Sequence, residues 1–510
     1  MTVADMNVSE WPNWESIVIR DPLLTLMLAM IALVSAGRKA ARAEGLAGNA
    51  MFGEEMPISP SNSRALSKVR TLRQRRIASG AKAIFAALAL FATSTGSVRA
   101  EDAGSSLATQ ASLTDTPDGP KEQLRSIGVM PDVWVTQFYQ GQTEGDGSKT
   151  WRYGGKLDAF LKVDAEKLGL WPGFHVNVQY EHYIGQNINR TDFALIPVNT
   201  ALAYVERDGY HSALSVSVTQ DFGEYISLSV GKFNMMTLAS KTPLIGGGGI
   251  DTFMNRAFAL PSTGVAYTAL RGGAGDRVVV SAPYLIGGIA TIKTKLVNFA
   301  LMIADPRSAI DPRVIQRPFE KGVAVGGAAT LKTEIVGLLG FHTLRAAYSN
   351  ARGVDLENIS DLPQPSALGG SVRTKKGFWF ASYAIQQNFV QSEQNRELGW
   401  GLFTLATLSD GNPSPVRWSV LAGLGGNNLL AGRENDRWGA GFFHFGLTEP
   451  LLAGLAALDV NRRSEGGVEA FYNLAITPWL RLSADLQVID PWNPSKSRST
   501  YAGLRLQTKF

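Results

Sequence analysis

Cysteine is absent from this 510-residue chain. Its absence removes disulfide frameworks, thiolate metal sites and cysteine nucleophiles together. It also suits a chain that crosses an oxidising compartment unfolded without forming wrong cross-links. Long apolar runs are missing too, since none reaches the roughly 20 residues that a membrane-spanning helix needs. Residues 126–510 lack sustained helical periodicity. They also lack a GxxxxGK[ST] nucleotide loop, an HExxH zinc signature and a GxSxG serine elbow. The Gly246–Gly249 run has no flanking strand and helix to make it a phosphate cradle. The five histidines, His175, His182, His211, His342 and His444, are scattered. His175 and His182 fall on opposite faces of a strand, so they are poor joint ligands. No metal, cofactor or enzymatic chemistry is expected, and interior or rim positions are the default for the histidines.

A basic excess is present, but it sits at one end. The first hundred residues hold 12 Lys and Arg against 7 Asp and Glu; of the chain's 49 basic and 44 acidic residues, 37 of each remain in 101–510. A neutral body gives no polyanion-binding surface, and nucleic acid is not an expected partner. The basic end reads as an address. Arg70, Arg73, Arg75, Arg76 and Lys82 precede an apolar run from Ala83 to Ala92, and Val98-Arg99-Ala100 forms a small-x-small cleavage site before Glu101. A second apolar stretch, Leu23 to Ala36, lies between Asp21 and the pair Arg38 and Lys39. It reads as a dispensable extension, with Met51 or Met56 as alternative starts; a marginal anchor is the other reading. The expected organisation is therefore an extension and cleavable signal over 1–100, a flexible periplasmic leader over 101–125, and one β-domain over 126–510.

From Val133 onward the recurring signal is alternation with period two, the signature of a strand with one apolar and one polar face. Leu480, Leu482, Ala484, Leu486 and Val488 oppose Arg481, Ser483, Asp485 and Gln487. Phe174, Val176, Val178 and Tyr180 oppose His175, Asn177, Gln179 and Glu181. Leu157, Ala159, Leu161 and Val163 oppose Lys156, Asp158, Phe160 and Lys162. A soluble β-sandwich alternates as well, but these segments are long and the ends of the chain favour a membrane. The final segment, Tyr501 to Phe510, places Ala502, Leu504, Leu506, Thr508 and Phe510 on one face and ends on an aromatic residue. Behind an export signal, such an ending is expected to be read by the barrel-assembly machinery.

The pattern therefore predicts an all-β fold, a transmembrane antiparallel barrel in the outer membrane of a Gram-negative cell, facing lipid and lipopolysaccharide. Tight turns are expected at Thr477-Pro478 and Gln220–Glu224. Long connections are expected at 184–199, 234–263, 305–320, 350–372 and 447–465. The stretch 234–263, with Met235, Met236, Met254 and Arg256, is long enough to fold inward as a constriction. Direct counting gives about 18 strands by pattern alone; with both ends on one side the number must be even, and 16 is also open. Trp151, Trp171, Trp400, Trp438 and Trp479 are candidates for the interfacial girdle.

Several phrases carry a family resemblance. Lys167-Leu168-Gly169-Leu170-Trp171-Pro172-Gly173 resembles the first periplasmic turn of the carbohydrate-selective outer-membrane porins of the OprB type. Leu228-Ser229-Val230-Gly231-Lys232-Phe233-Asn234 resembles the strand end before that family's long loop. The segment from Gly432 to Gly441, with Arg433, Asp436, Gly439 and Gly441, resembles its Arg-x-x-Asp-x-x-Gly-x-Gly phrase. Glu469-Ala470-Phe471-Tyr472, Thr477-Pro478-Trp479-Leu480 and Asp485-Leu486-Gln487 match its closing strands in order. The resemblance covers about 126–510, and the glycine run after Asn234 is the main departure from it. It implies 16 strands and diffusion of monosaccharides and small oligosaccharides; a general or anion-preferring pore is the alternative. In either case the expected lumen residues are Lys156, Asp158, His175, Asn177, Glu181, Glu469, Arg481, Asp485 and Arg505, a balanced set suited to neutral polyols.

Overall fold

A computed structural model describes residues 107–190, 194–203, 211–239, 250–259, 284–306, 317–357, 373–430 and 432–510. The signal, its cleavage site, the first apolar stretch and the Gly246–Gly249 run lie outside these residues. The first eight strands are β1 Val129–Glu144, β2 Arg152–Asp164, β3 Phe174–Gly185, β4 Ser212–Phe222, β5 Ile226–Asn234, β6 Tyr284–Lys293, β7 Val297–Ala304 and β8 Ala324–Ile335. The others are β9 Leu338–Val354, β10 Thr374–Gln391, β11 Gly399–Ser409, β12 Val416–Asn427, β13 Arg437–Leu447, β14 Glu465–Ala475, β15 Leu480–Asp490 and β16 Ser499–Lys509. Each pairs antiparallel with its neighbours in sequence, and β1 pairs with β16 to close a 16-stranded barrel.

The count settles on 16 rather than 18. Ala201, Leu202 and Ala203 form a turn instead of a strand, and Ala201 and Leu202 pack in the cluster that holds Phe138 and Met254. The stretch 288–304 divides into parts of β6 and β7 around a turn at Thr294. Connections alternate in length around the two rims. The short ones include Val336-Gly337 between β8 and β9, where both residues have positive φ (52° and 78°). That backbone matches the right-handed twist of a two-residue hairpin. The turn expected at Gln220–Glu224 narrows to Gly223–Tyr225, since β4 runs to Phe222. The long connection after β5 extends to Tyr284, well past 263, and begins with a short helix, α1 Met235–Ala239. The connection between β13 and β14 carries helix α2 Glu449–Ala456.

Burial is inverted relative to a soluble protein. Leu486 and Val468 are 51% and 49% exposed, whereas their neighbours Gln487 and Glu469 are 0% and 1% exposed. An exposed face of Leu, Val, Tyr and Trp is stable against hydrocarbon, not water, so this face is the outer one. His182, His342 and His444 also belong to it. There they meet Ser212, the Tyr383 hydroxyl and the Trp418 ring respectively, rather than lining the interior. Of the tryptophans, Trp400 and Trp438 stand side by side at 5.6 Å. Trp171 is exposed at a turn, and Trp151 stacks on Tyr139 at 5.0 Å. Trp479 is instead buried, its indole donating to the Leu107 carbonyl at 2.7 Å.

The leader needs correction over 107–125. Its Ser, Thr, Asp and Gly content reads as flexible, yet this segment is fastened to the barrel. Lys121, at the start of a short helix over 120–126, donates to Ser112 Oγ at 2.9 Å and to the Phe510 carbonyl at 2.8 Å, and pairs with Asp132 at 2.7 Å. Leu113 N donates to the Lys509 carbonyl at 2.9 Å. At Asp115, burial raises the carboxyl pKa, but Arg125, Ser112 and Lys121 outweigh it and leave the group below its ordinary value. The charges that make the segment look soluble are the ones that pin it.

The outer-face assignment makes a prediction. Leu486→Arg places a cation against hydrocarbon near the middle of β15 and should cost about 2–4 kcal/mol of folding free energy in a bilayer. Titration with denaturant from lipid vesicles checks this, and a change below about 0.5 kcal/mol would count against the assignment.

Candidate functional site: the polar face and the segments fastened to it

All nine candidate residues lie on the face opposite the exposed apolar side chains, and the register of the strands decides which of them meet. On β2 and β3, Asp158 stands opposite Glu181 and Lys156 opposite Tyr183. Lys156 Nζ bridges the two carboxylates, at 2.9 Å from Asp158 and 2.5 Å from Glu181. Gln179 donates to Asp158 at 3.0 Å, and the hydroxyls of Tyr183 and Tyr284 donate to Glu181. These three charged residues are almost fully buried. A buried carboxylate is tolerated only when paired and hydrogen-bonded, and this cluster meets that condition. Nearer the tight-turn rim, His175 Nε2 lies 3.1 Å from Asp221, and Asn177 donates to Thr219 at 3.4 Å.

A second group forms on β14–β16. Glu465 and Glu469 lie four residues apart on one strand, hence on one face. Glu465 accepts from the backbone N–H of Leu195 (2.7 Å), Ile196 (2.9 Å) and Trp492 (3.2 Å). Glu469 accepts from the N–H of Met254 and of Asn255, the latter at 3.0 Å. Each carboxylate thus holds a different segment, one from the β3–β4 connection and one from the β5–β6 connection. Arg505 adds to the second, donating to the Thr252 carbonyl at 2.8 Å and to Ser483. Gln487 donates to the Val198 carbonyl at 2.9 Å and to Asp485 at 2.8 Å, and accepts from Asn255 at 3.0 Å. The two segments also bond each other, Thr200 N to the Met254 carbonyl at 2.8 Å and Arg256 N to the Pro197 carbonyl at 2.9 Å. Glu469 and Arg505 are therefore committed to holding backbone, and Asp485 to Gln487 beside them.

Beside these polar fasteners the wall is aromatic. Phe253 and Phe258 stack at 4.1 Å and meet Phe403, Phe443 and Phe471 edge-on at 4.8–5.8 Å. Glycines make room for them. A Cβ at Gly441 would stand 2.9 Å from the Phe258 ring, and one at Gly439 would stand 2.8 Å from the Phe253 ring. Glycine inside a strand marks such a close approach.

The carbohydrate-selective porin family, OprB, matches residues 148–510. The chain belongs to this family. It is an outer-membrane, multi-pass β-barrel of a class of channels, not an enzyme. Among solved structures, the high-pH structure of Pseudomonas putida OprB is similar with a TM-score of 0.64 and 18% identity, covering 79% of this chain and 100% of that one. The low-pH structure of that protein aligns at a TM-score of 0.45 and 14% identity, over 79% and 99% of the two chains. OccK2 (OpdF) of Pseudomonas aeruginosa, in complex with glucuronate, aligns at 0.40 and 11%, over 75% and 98%. No curated protein matches the chain.

The porin's geometry gives its Arg-x-x-Asp-x-x-Gly-x-Gly phrase a physical meaning. Arg433 grips Asp436 in a fork, Nε to Oδ2 at 2.8 Å and Nη2 to Oδ1 at 2.7 Å. Asp436 also accepts from Tyr472 at 2.5 Å and from Ala475 N at 2.8 Å, tying the β12–β13 turn to the end of β14. Three residues on, Gly439 and Gly441 seat the two phenylalanines. Between Asp436 and Gly439, Arg437 pairs with Asp251 at 2.8 Å. At Asp251, burial raises the carboxyl pKa, but Arg437, Arg505, Arg481 and Lys509 outweigh it, holding the group below its ordinary range. Arg481 itself donates to the Asn435 carbonyl at 3.0 Å.

Sequence reasoning missed Glu465, the 194–203 segment and the whole aromatic seat. Only the glycines in β12 and β13 signalled the seat in advance. Gly441→Val should force Phe258 from its place and cost about 1–3 kcal/mol by overpacking. A urea midpoint equal to that of the parent protein, measured in detergent, would show that the seat is not tight.

Proposed function

We propose that this porin passes neutral carbohydrates, monosaccharides and small oligosaccharides, across the outer membrane by passive diffusion. Residues 194–203 and 250–259 are taken as the constriction of the pore. The observation that carries the reading, within the family-level expectation, is charge pairing on the polar face. Lys156 bridges two acids, and Asp251 meets Arg437. Charges paired in this way present dipoles, hydroxyls and amides rather than a field of one sign, and such groups suit sugar hydroxyls. Arg345, on the same polar face in β9, by contrast has no carboxylate partner among the described residues. A general or anion-preferring pore would be better served by unpaired lysine or arginine. Export through the signal before Glu101, contact with lipopolysaccharide, and recognition of the strand ending at Phe510 by the assembly machinery complete the proposal.

Planar-bilayer recording tests it. In a salt gradient the reversal potential should lie close to zero, and adding a neutral disaccharide should lower the single-channel current reversibly. Strong anion selectivity with no response to sugar would favour the alternative pore.

A further inference from the structure

We infer that Glu465 and Glu469 are positioning residues that set the size limit of the pore, each by fastening a different segment. The inference rests on the reading of those segments as the constriction. Four strand residues separate the two carboxylates by about 13 Å along β14, so they cannot serve one backbone turn. Each accepts from two consecutive N–H groups, at Leu195 and Ile196 for one and at Met254 and Asn255 for the other. Both are essentially fully buried, at 0% and 1% exposure. Two adjacent N–H groups converging on one carboxylate make a charge-assisted pair of bonds. A glutamine of the same shape can keep only one of them, because its amide nitrogen would face the second N–H. The charges facing the two groups do not replace this function. Asp490 lies near Glu465, while Asp485 and Arg505 lie near Glu469. Arg505 is already bonded to Ser483 and to the Thr252 carbonyl.

The segments also bond each other through Thr200 and Met254 and through Pro197 and Arg256. Release of one therefore weakens the other, and the two carboxylates are coupled rather than redundant. Glu465 further holds Trp492 N, joining the β15–β16 connection to the same fastener.

The test is liposome swelling with neutral saccharides of increasing length, using the full porin and the variants Glu465→Gln, Glu469→Gln and the double variant. Loss of one charge-assisted bond should raise the released population, and with it the trisaccharide rate relative to the monosaccharide rate, by about tenfold. Monosaccharide entry should change little. Glu334→Gln, at the exposed pair with Arg396, is the control and should leave the ratio unchanged. Heat-dependent gel mobility reports that each barrel is folded. Should a glutamine variant fail to fold, the chain's lack of cysteine permits a second route. The single cysteine of Met254→Cys, at a residue whose backbone N–H but not its side chain meets Glu469, should react faster with a small water-soluble thiol reagent in the Glu469→Asp background than in the parent, and an equal rate would overturn the inference. Folded variants with the parental ratio would overturn the inference. Absence of any sugar uptake by the parent protein would instead overturn the proposed function.

Discussion

Hydrocarbon offers no partner to a backbone N–H or C=O, and this constraint governs the rest of the structure. Strands crossing a bilayer must bond to other strands along both edges, which only a closed barrel allows. Closure is achieved where β1 meets β16, with Trp134 opposite Lys509 and Gln140 opposite Gly503. The period-two pattern follows from the same condition. Once the backbone is satisfied sideways, the two faces are free to differ completely, one set by lipid and the other by what the barrel encloses.

The enclosed face handles its own constraint by pairing. Charges buried among strands are costly unless each meets an opposite charge or several donors. Lys156, Asp158 and Glu181 solve this within the wall. Glu465 and Glu469 solve it by taking backbone N–H groups from connections that would otherwise carry unmet donors. The economy is mutual: the segment satisfies the wall and the wall satisfies the segment. The phenylalanine stack against Gly439 and Gly441 adds an apolar contact that holds the same segment at its other side.

Much of the wall was legible in the sequence because a strand's side-chain period is independent of its partners. The faces of Leu480–Val488 and Phe174–Glu181 could be assigned from alternation, and the polarity of all nine candidate residues followed. What these residues touch was not legible, because register and long-range docking leave no periodic trace. Glu469 and Arg505 looked like free lumen groups, whereas each holds a connection more than two hundred residues away in sequence. Segment 194–203 is mostly apolar but without period, and its contacts, Asn199 with Asn189 and Gln140 and Thr200 with Met254, leave no pattern in the sequence. The leader was misread for a related reason. Composition reports how well a segment is solvated when alone, not whether Lys121 finds Ser112, Asp132 and Phe510 waiting on the folded barrel.

The central claim is that a barrel with paired interior charges admits sugars by size. It is tested most directly by reconstituting the unmodified porin in liposomes and following isosmotic swelling with neutral mono-, di- and trisaccharides. Swelling is expected with the monosaccharide, at a rate that falls steeply as the saccharide lengthens. Vesicles that stay closed to every saccharide while a small inorganic anion enters would contradict it.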